Sequence, residues 1–322
     1  MRARRTILAS SVAALTVGAV ALLVFGVGTA PAAKNPEGTL APLLDEVTQG
    51  QNAAYTSTFT NSGKTQTHVE FHSPIPTGNS APVYASCPHR MTATELVCNT
   101  VKLDKGQTAR VTIVWLAFDS EYSAYWTTDS GSNSPTKPKK RVDVGPVHVE
   151  LIDAGDASKA SSYILSSCDP NPTLETNPDV NEDNPLASRV CIPAFAPQSN
   201  LLPGLKGTVE ETNVEEPFPQ QSEICIAVQS CDHPFTFSTP IVFTFFLDED
   251  SFVSELDLLS TYSWYPHESP ITQVFHDDVL VPSCDDEEAE DLDPCVESIE
   301  SDGYGTTTVV ARGTENGDWR YG

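Results

Sequence analysis

Basic side chains are scarce in this sequence: 18 Lys and Arg stand against 44 Asp and Glu, a formal net charge of −26. So anionic a chain repels phosphodiester backbones and acidic headgroups, which excludes nucleic acid and the membrane surface as primary partners. Helical periodicity hardly occurs. No C-x-x-C pair is present to hold a zinc knuckle. Hydrolase and nucleotide signatures are missing too: there is no G-x-S-x-G, no Walker loop and no G-x-G-x-x-G, and His267-Glu268 runs into Ser269-Pro270-Ile271 rather than H-E-x-x-H. With 39% hydrophobic residues, 18 Gly and 25 Pro, the body is neither disordered nor collagen-like. A folded protein without catalysis is therefore expected. Paired carboxylates for glycoside hydrolysis stay open, because their separation is a property of three dimensions.

The one long apolar run is at the start. Arg2, Arg4 and Arg5 precede an uncharged stretch from Ile7 to Gly28, and Thr29-Ala30-Pro31-Ala32-Ala33 follows. This order predicts a signal peptide over 1–33 or, uncleaved, a signal-anchor helix with the arginines inside. Either form exports the rest, and any membrane attachment runs through this segment. Residues 34–50 read as a linker.

Eight cysteines in an exported chain read as disulfides. Their spacing falls into four local couples: Cys87 with Cys98, Cys168 with Cys191, Cys225 with Cys231, and Cys284 with Cys295.

Alternation of period two recurs along the body. Tyr55, Ser57 and Phe59 alternate with threonines, Val69 and Phe71 with His68, Glu70 and His72, and Val111, Ile113 and Trp115 with Arg110 and Thr112. Turn formers separate these runs at Asn61-Ser62-Gly63, Pro74 to Asn79 and Asp104-Lys105-Gly106. Short strands broken by frequent turns predict facing sheets. Two β-sandwich domains are expected, 51–200 and 201–322. The second holds a strand apolar on both faces, Ile241 to Leu247, expected to be central in its sheet. Val309 to Tyr321 reads as a closing hairpin around Asn316-Gly317, with the two turn residues at positive φ.

Residues 53–118 resemble the immunoglobulin-like conserved-repeat domain of bacterial envelope and secreted proteins, a domain of uncharacterised function. The resemblance rests on Tyr55 to Gly63, Val69-Glu70-Phe71 leading to Pro74-Ile75-Pro76, Val97-Cys98, and Leu103-Asp104-Lys105-Gly106-Gln107 entering Val111 to Val114. Residues 201–322 look like a module that accompanies such repeats, through Val279-Leu280-Val281-Pro282, Asp293-Pro294-Cys295-Val296 and Gly317-Asp318-Trp319-Arg320. The resemblance implies an all-β chain of two tandem immunoglobulin-like sandwiches, serving as an extracellular spacer, scaffold or adhesion module whose partner is a surface protein or glycan. It implies no catalytic residues and no cofactor.

Three constellations of side chains carry chemistry. His68, Glu70 and His72 share one strand face and offer a zinc or copper set, although the phasing puts that face in solvent. The Cys284 to Cys295 loop carries Asp285, Asp286, Glu287, Glu288, Glu290, Asp291 and Asp293, oxygen ligands of the kind weak calcium binding uses, without EF-hand spacing. Trp126, Tyr262, Trp264 and Tyr265 are the rings that a carbohydrate-binding module would expose, and such a module or a secreted glycosidase is the alternative function.

Overall fold

A computed structural model describes residues 38–63, 67–99, 101–129, 140–156, 158–168, 172–177, 179–181, 183–193, 204–213, 220–227, 237, 239–249, 273–285 and 293–321. The expected leader, Cys231, Tyr262, Trp264, Tyr265, Asp286, Glu288 and Asp291 lie outside these residues. Among the described residues there are 23 strands and no α-helix.

The first sandwich comprises β1 (Gly38–Pro42), β2 (Glu46–Thr48), β3 (Asn52–Thr60), β4 (Thr67–Pro74), β5 (Tyr84–Ala85), β6 (His89–Met91), β7 (Glu95–Cys98), β8 (Val101–Leu103), β9 (Thr108–Leu116), β10 (Glu121–Asp129), β11 (Lys140–His148) and β12 (Glu150–Ile152). One sheet has the order β1-β3-β9-β5 and the other β11-β10-β4-β7-β6, with β8 also on β4. That is the ABED and GFC arrangement of an immunoglobulin-like sandwich. The alternating residues meet between the sheets: Tyr55 packs on Tyr122 at 5.5 Å and Phe59 on Trp126 at 5.7 Å between ring centroids. Several of the polar atoms buried among them pair with one another. The Trp115 indole donates to the Tyr55 hydroxyl at 2.9 Å, that hydroxyl is 2.5 Å from Ser73 Oγ, and the Trp126 indole donates to Ser57 Oγ at 2.9 Å.

The second sandwich comprises β13 (Lys159–Ile164), β14 (Leu174–Glu175), β15 (Leu186–Cys191), β16 (Leu205–Asn213), β17 (Gln220–Ala227), β18 (Ile241–Asp248), β19 (Val274–His276), β20 (Val279–Leu280), β21 (Cys295–Ser301), β22 (Thr306–Gly313) and β23 (Gly317–Tyr321). Its sheets run β13-β16-β17-β23-β19-β20 and β14-β15-β18-β22-β21. β18 is central, as its double apolar character implied, and Phe243 and Phe245 meet Trp319 from the opposite sheet at 5.0 and 5.4 Å.

Strand pairing corrects three expectations. β1 pairs with β3 over five residues, so part of the expected linker 34–50 belongs to the first sandwich. β13 pairs with β16 and β15 with β18, so residues 159–191 belong to the second sandwich and the boundary falls near Asp153 to Ser158 rather than at 200. The closing hairpin is not one: β22 pairs with β18 and β21, whereas β23 pairs with β17 and β19 in the facing sheet. Gly317 is not among the residues with positive φ. It is required for space instead, since a Cβ there would lie 2.4 Å from His276 Nε2.

The two sandwiches meet through β13, which is buried along almost its whole length. β2 and β12 form a short parallel pair. The Ser161 N–H donates to Thr48 Oγ1 at 2.9 Å and its hydroxyl to the Glu46 carbonyl at 2.8 Å, while Asn52 Nδ2 donates to the Tyr163 carbonyl at 3.0 Å. Tyr163 packs with the core of the first sandwich although its strand belongs to the second. Lys159 Nζ bridges Glu46 at 2.6 Å and Glu210 at 3.5 Å.

The disulfides Cys87–Cys98, Cys168–Cys191 and Cys284–Cys295 are the local couples that the spacing suggested. Cys225 is disulfide-bonded as well. Cross-links of this number place the folded chain in an oxidising environment.

Candidate functional site

His68, Glu70 and His72 do share the outer face of β4, but the solvent-side expectation holds only for part of the trio. Glu70 and His72 are each 7% exposed. They are covered by neighbours that β4 itself does not encode. His72 pairs in register with Val97 of β7 and Tyr125 of β10, and the row continues to Arg90 of β6 and Asp143 of β11. The Tyr125 ring lies flat on the His72 ring, centroids 4.4 Å apart and planes 9° apart, and the Arg141 guanidinium sits 3.7 Å from the Tyr125 centroid. This is a stack of cation, phenol and imidazole drawn from three adjacent strands.

Carboxylates hold the stack in place. Glu95 Oε1 lies 3.2 Å from His72 Nδ1, and its Oε2 accepts the Tyr125 hydroxyl at 2.6 Å. Glu70 Oε2 lies 3.4 Å from His72 Nε2, and its Oε1 accepts from Arg90 Nη2 at 3.1 Å. Both imidazole nitrogens thus face carboxylate oxygens, and Thr127 Oγ1 also lies 3.4 Å from Nε2. Burial, then the hydrogen bond and charge of Glu95, push the Tyr125 hydroxyl up to about 12.

This arrangement does not form the metal set considered for the trio. Glu70 and Glu95 approach opposite nitrogens of one ring, and among the described residues no three His, Cys, Asp or Glu side chains converge to hold a metal ion. Of the acidic loop, Asp285 is described and exposed, its N–H donating to Ser283 Oγ at 3.2 Å. Trp126, named as a ring for sugar binding, is 1% exposed and belongs to the core, because it alternates with Tyr125 and the inward phase is the one packed on Phe59 and Phe71.

Sequence reasoning missed Tyr125, Arg141, Glu95 and Arg90. The one available signal was that Tyr125 and Thr127 flank a core tryptophan and so point outward; which strands lie beside them is not written locally.

A second buried group stands in the other sandwich. Glu211 on β16, 9% exposed, accepts from the Thr176 hydroxyl at 2.8 Å, and its Oε2 has no hydrogen-bond partner among the described residues. Burial, opposed by bonds from Thr176 and Ser188, pushes its carboxyl up to about 7. It borders a polar cleft of about 330 Å³ with Asp156, Asp183, Asn184, Asn213 and Gln220.

No family model and no curated protein matches the chain. Among solved structures it is similar to an inactive mutant of a GH20 exo-β-N-acetylglucosaminidase from Vibrio harveyi, at 13% identity over 41% of this chain and 20% of that one, with TM-score 0.26. It is also similar to a PapD-like domain of human CEP192, at 13% identity over 36% and 87% of the two chains, with TM-score 0.21, and to the sporulation control protein Spo0M of Bacillus subtilis, at 9% identity over 59% and 79%, with TM-score 0.19. The chain spans about a fifth of the length of the glucosaminidase.

Proposed function

We propose that the protein is an exported, non-catalytic recognition or adhesion module, and that its contact surface is the outer face of the β11-β10-β4-β7-β6 sheet. The observation that carries this is the Arg141–Tyr125–His72 stack braced by Glu70 and Glu95. Side chains held in one geometry before contact lose little entropy on binding, and Tyr and Arg are the types that anchor protein interfaces. In a chain short of basic residues, Arg90, Lys102, Lys140 and Arg141 all fall on the strands of this one sheet.

The same stack favours a polypeptide partner over a glycan. A sugar needs a free aromatic face, whereas Tyr125 is flanked by His72 from one neighbouring strand and Arg141 from the other. The test is a combined protein and glycan array probed with the full chain and its Arg141→Glu variant. Protein ligands lost by the variant, at least about tenfold in affinity, are the expected result. Binding confined to glycans, or protein binding indifferent to Arg141→Glu, would refute the assignment.

A further inference from the structure

Away from that sheet face, the second sandwich carries a cleft of about 520 Å³ at the β19–β20 edge. This is within the size range of ligand sites. It is lined by the apolar run Val279 to Pro282 and by Asp293, Pro294 and Glu315. Val279 and Leu280 are 68% and 54% exposed, whereas Val281 beside them is buried. Consecutive large apolar side chains both left in water form an edge in want of cover.

Backbone bonds and a disulfide brace the lining. Val281 N–H donates to the Val274 carbonyl and Val296 N–H to the Pro282 carbonyl, both at 2.8 Å, and the Cys284–Cys295 disulfide ties the two sides together. Asp277 and Asp278 form the β19–β20 turn with φ of 50° and 64°. That turn separates the two carboxylates: Arg320 engages Asp278, and Asp277 stays in the cleft with one oxygen on the Asp318 N–H at 3.0 Å. Asp293 is held by the N–H and hydroxyl of Thr314. The ring of His276 packs on Trp319 at 4.7 Å and its Nε2 donates to the Asn316 carbonyl at 3.1 Å. Three carboxylates therefore line the cleft together with His276, whose Nδ1 lies 3.9 Å from Asp277 Oδ2, and among the described residues no Lys or Arg does.

An apolar rim over an acidic interior is complementary to a side chain with an apolar stem and a cationic head. We propose that this cleft docks a basic–apolar segment of a partner polypeptide, an arginine or lysine entering between Asp277, Asp293 and Glu315 while a neighbouring apolar residue covers Val279 and Leu280. The site is independent of the sheet face of the first sandwich.

Fluorescence anisotropy tests this with the full chain and two labelled hexapeptides, Gly-Leu-Arg-Val-Arg-Gly and Gly-Leu-Gln-Val-Gln-Gly. Expected is saturable binding of the basic peptide, weakened about tenfold or more both by exchange to the glutamine peptide and by the double variant Val279→Ser, Leu280→Ser, about threefold by Glu315→Gln, and unchanged by Arg141→Ala. The exposed positions of the variants keep the fold, which circular dichroism melting checks. Equal binding by all variants would reveal bulk attraction to an acidic chain and overturn the proposal, as would no binding of the basic peptide. Dimerisation in sedimentation that the double variant abolishes would give the cleft to a second copy and overturn it too.

Discussion

The side chain of Asn316 binds both backbone groups of Ile226: Oδ1 accepts the Ile226 N–H at 2.8 Å and Nδ2 donates to its carbonyl at 2.7 Å. The backbone register of β17 with β23 ends at Ile224 and Gly317, so the amide carries the ladder one step further than the strand does. Asn316→Ala would leave two backbone groups unpaired and is expected to cost about 2 kcal/mol in urea unfolding. If Asn316 served only a tight hairpin turn, exchange to Gly would be nearly neutral; in this fold it should cost as much as Ala.

Glu211 couples stability to pH. The folded protein holds this proton more tightly than the unfolded chain does, since the carboxyl is raised from 4.5 to about 7. Its contribution is therefore full below about pH 4.5, declines as pH rises, and is lost above about pH 7, a total of about 3 kcal/mol. Urea midpoints from pH 4 to 8 should show this slope in the native chain and a flatter one in Glu211→Gln, with the variant the more stable at pH 8. Parallel profiles would contradict it.

Tyr163 is the pin between the sandwiches, rooted in β13 and packed into the neighbouring core. Tyr163→Ala is expected to cost about 3 to 5 kcal/mol and to split one thermal transition into two, read by calorimetry. Ser161→Ala, which removes a single hydroxyl donor, should cost about 1 kcal/mol.

Cys87–Cys98 and Cys284–Cys295 each close a loop of 11 residues in sequence separation, and Cys168–Cys191 one of 23. Removing Cys87–Cys98 by a double Ala substitution is expected to lower stability by about 3 kcal/mol, and it also frees β6, which carries Arg90 over Glu70. Loss of binding at the sheet face should therefore accompany the loss of stability, as surface plasmon resonance with the array ligand would show.

Within the cleft at β19–β20, the lining residues Val279 to Pro282, Asp293 and Pro294 stood out in the sequence as a resemblance without a role. Alternation around Val69 and Phe71 placed His72 on the outer face correctly. It was silent on Tyr125, which lies 53 positions along the chain and directly across in the sheet.

What the chain order alone determined is the all-β class, three of the four cysteine couples and the central place of the Ile241 to Leu247 strand, because period-two alternation and short loop closure depend on residues near one another in sequence. What only the tertiary structure decided is which sheet each strand joins: β13 and β15 went forward to the second sandwich, β22 and β23 parted to opposite sheets, and Glu70 and His72 were covered. Backbone N–H and C=O groups are the same at every position, so strand partners are chosen by which pairing buries the most apolar surface across the whole fold, and no local window contains that comparison.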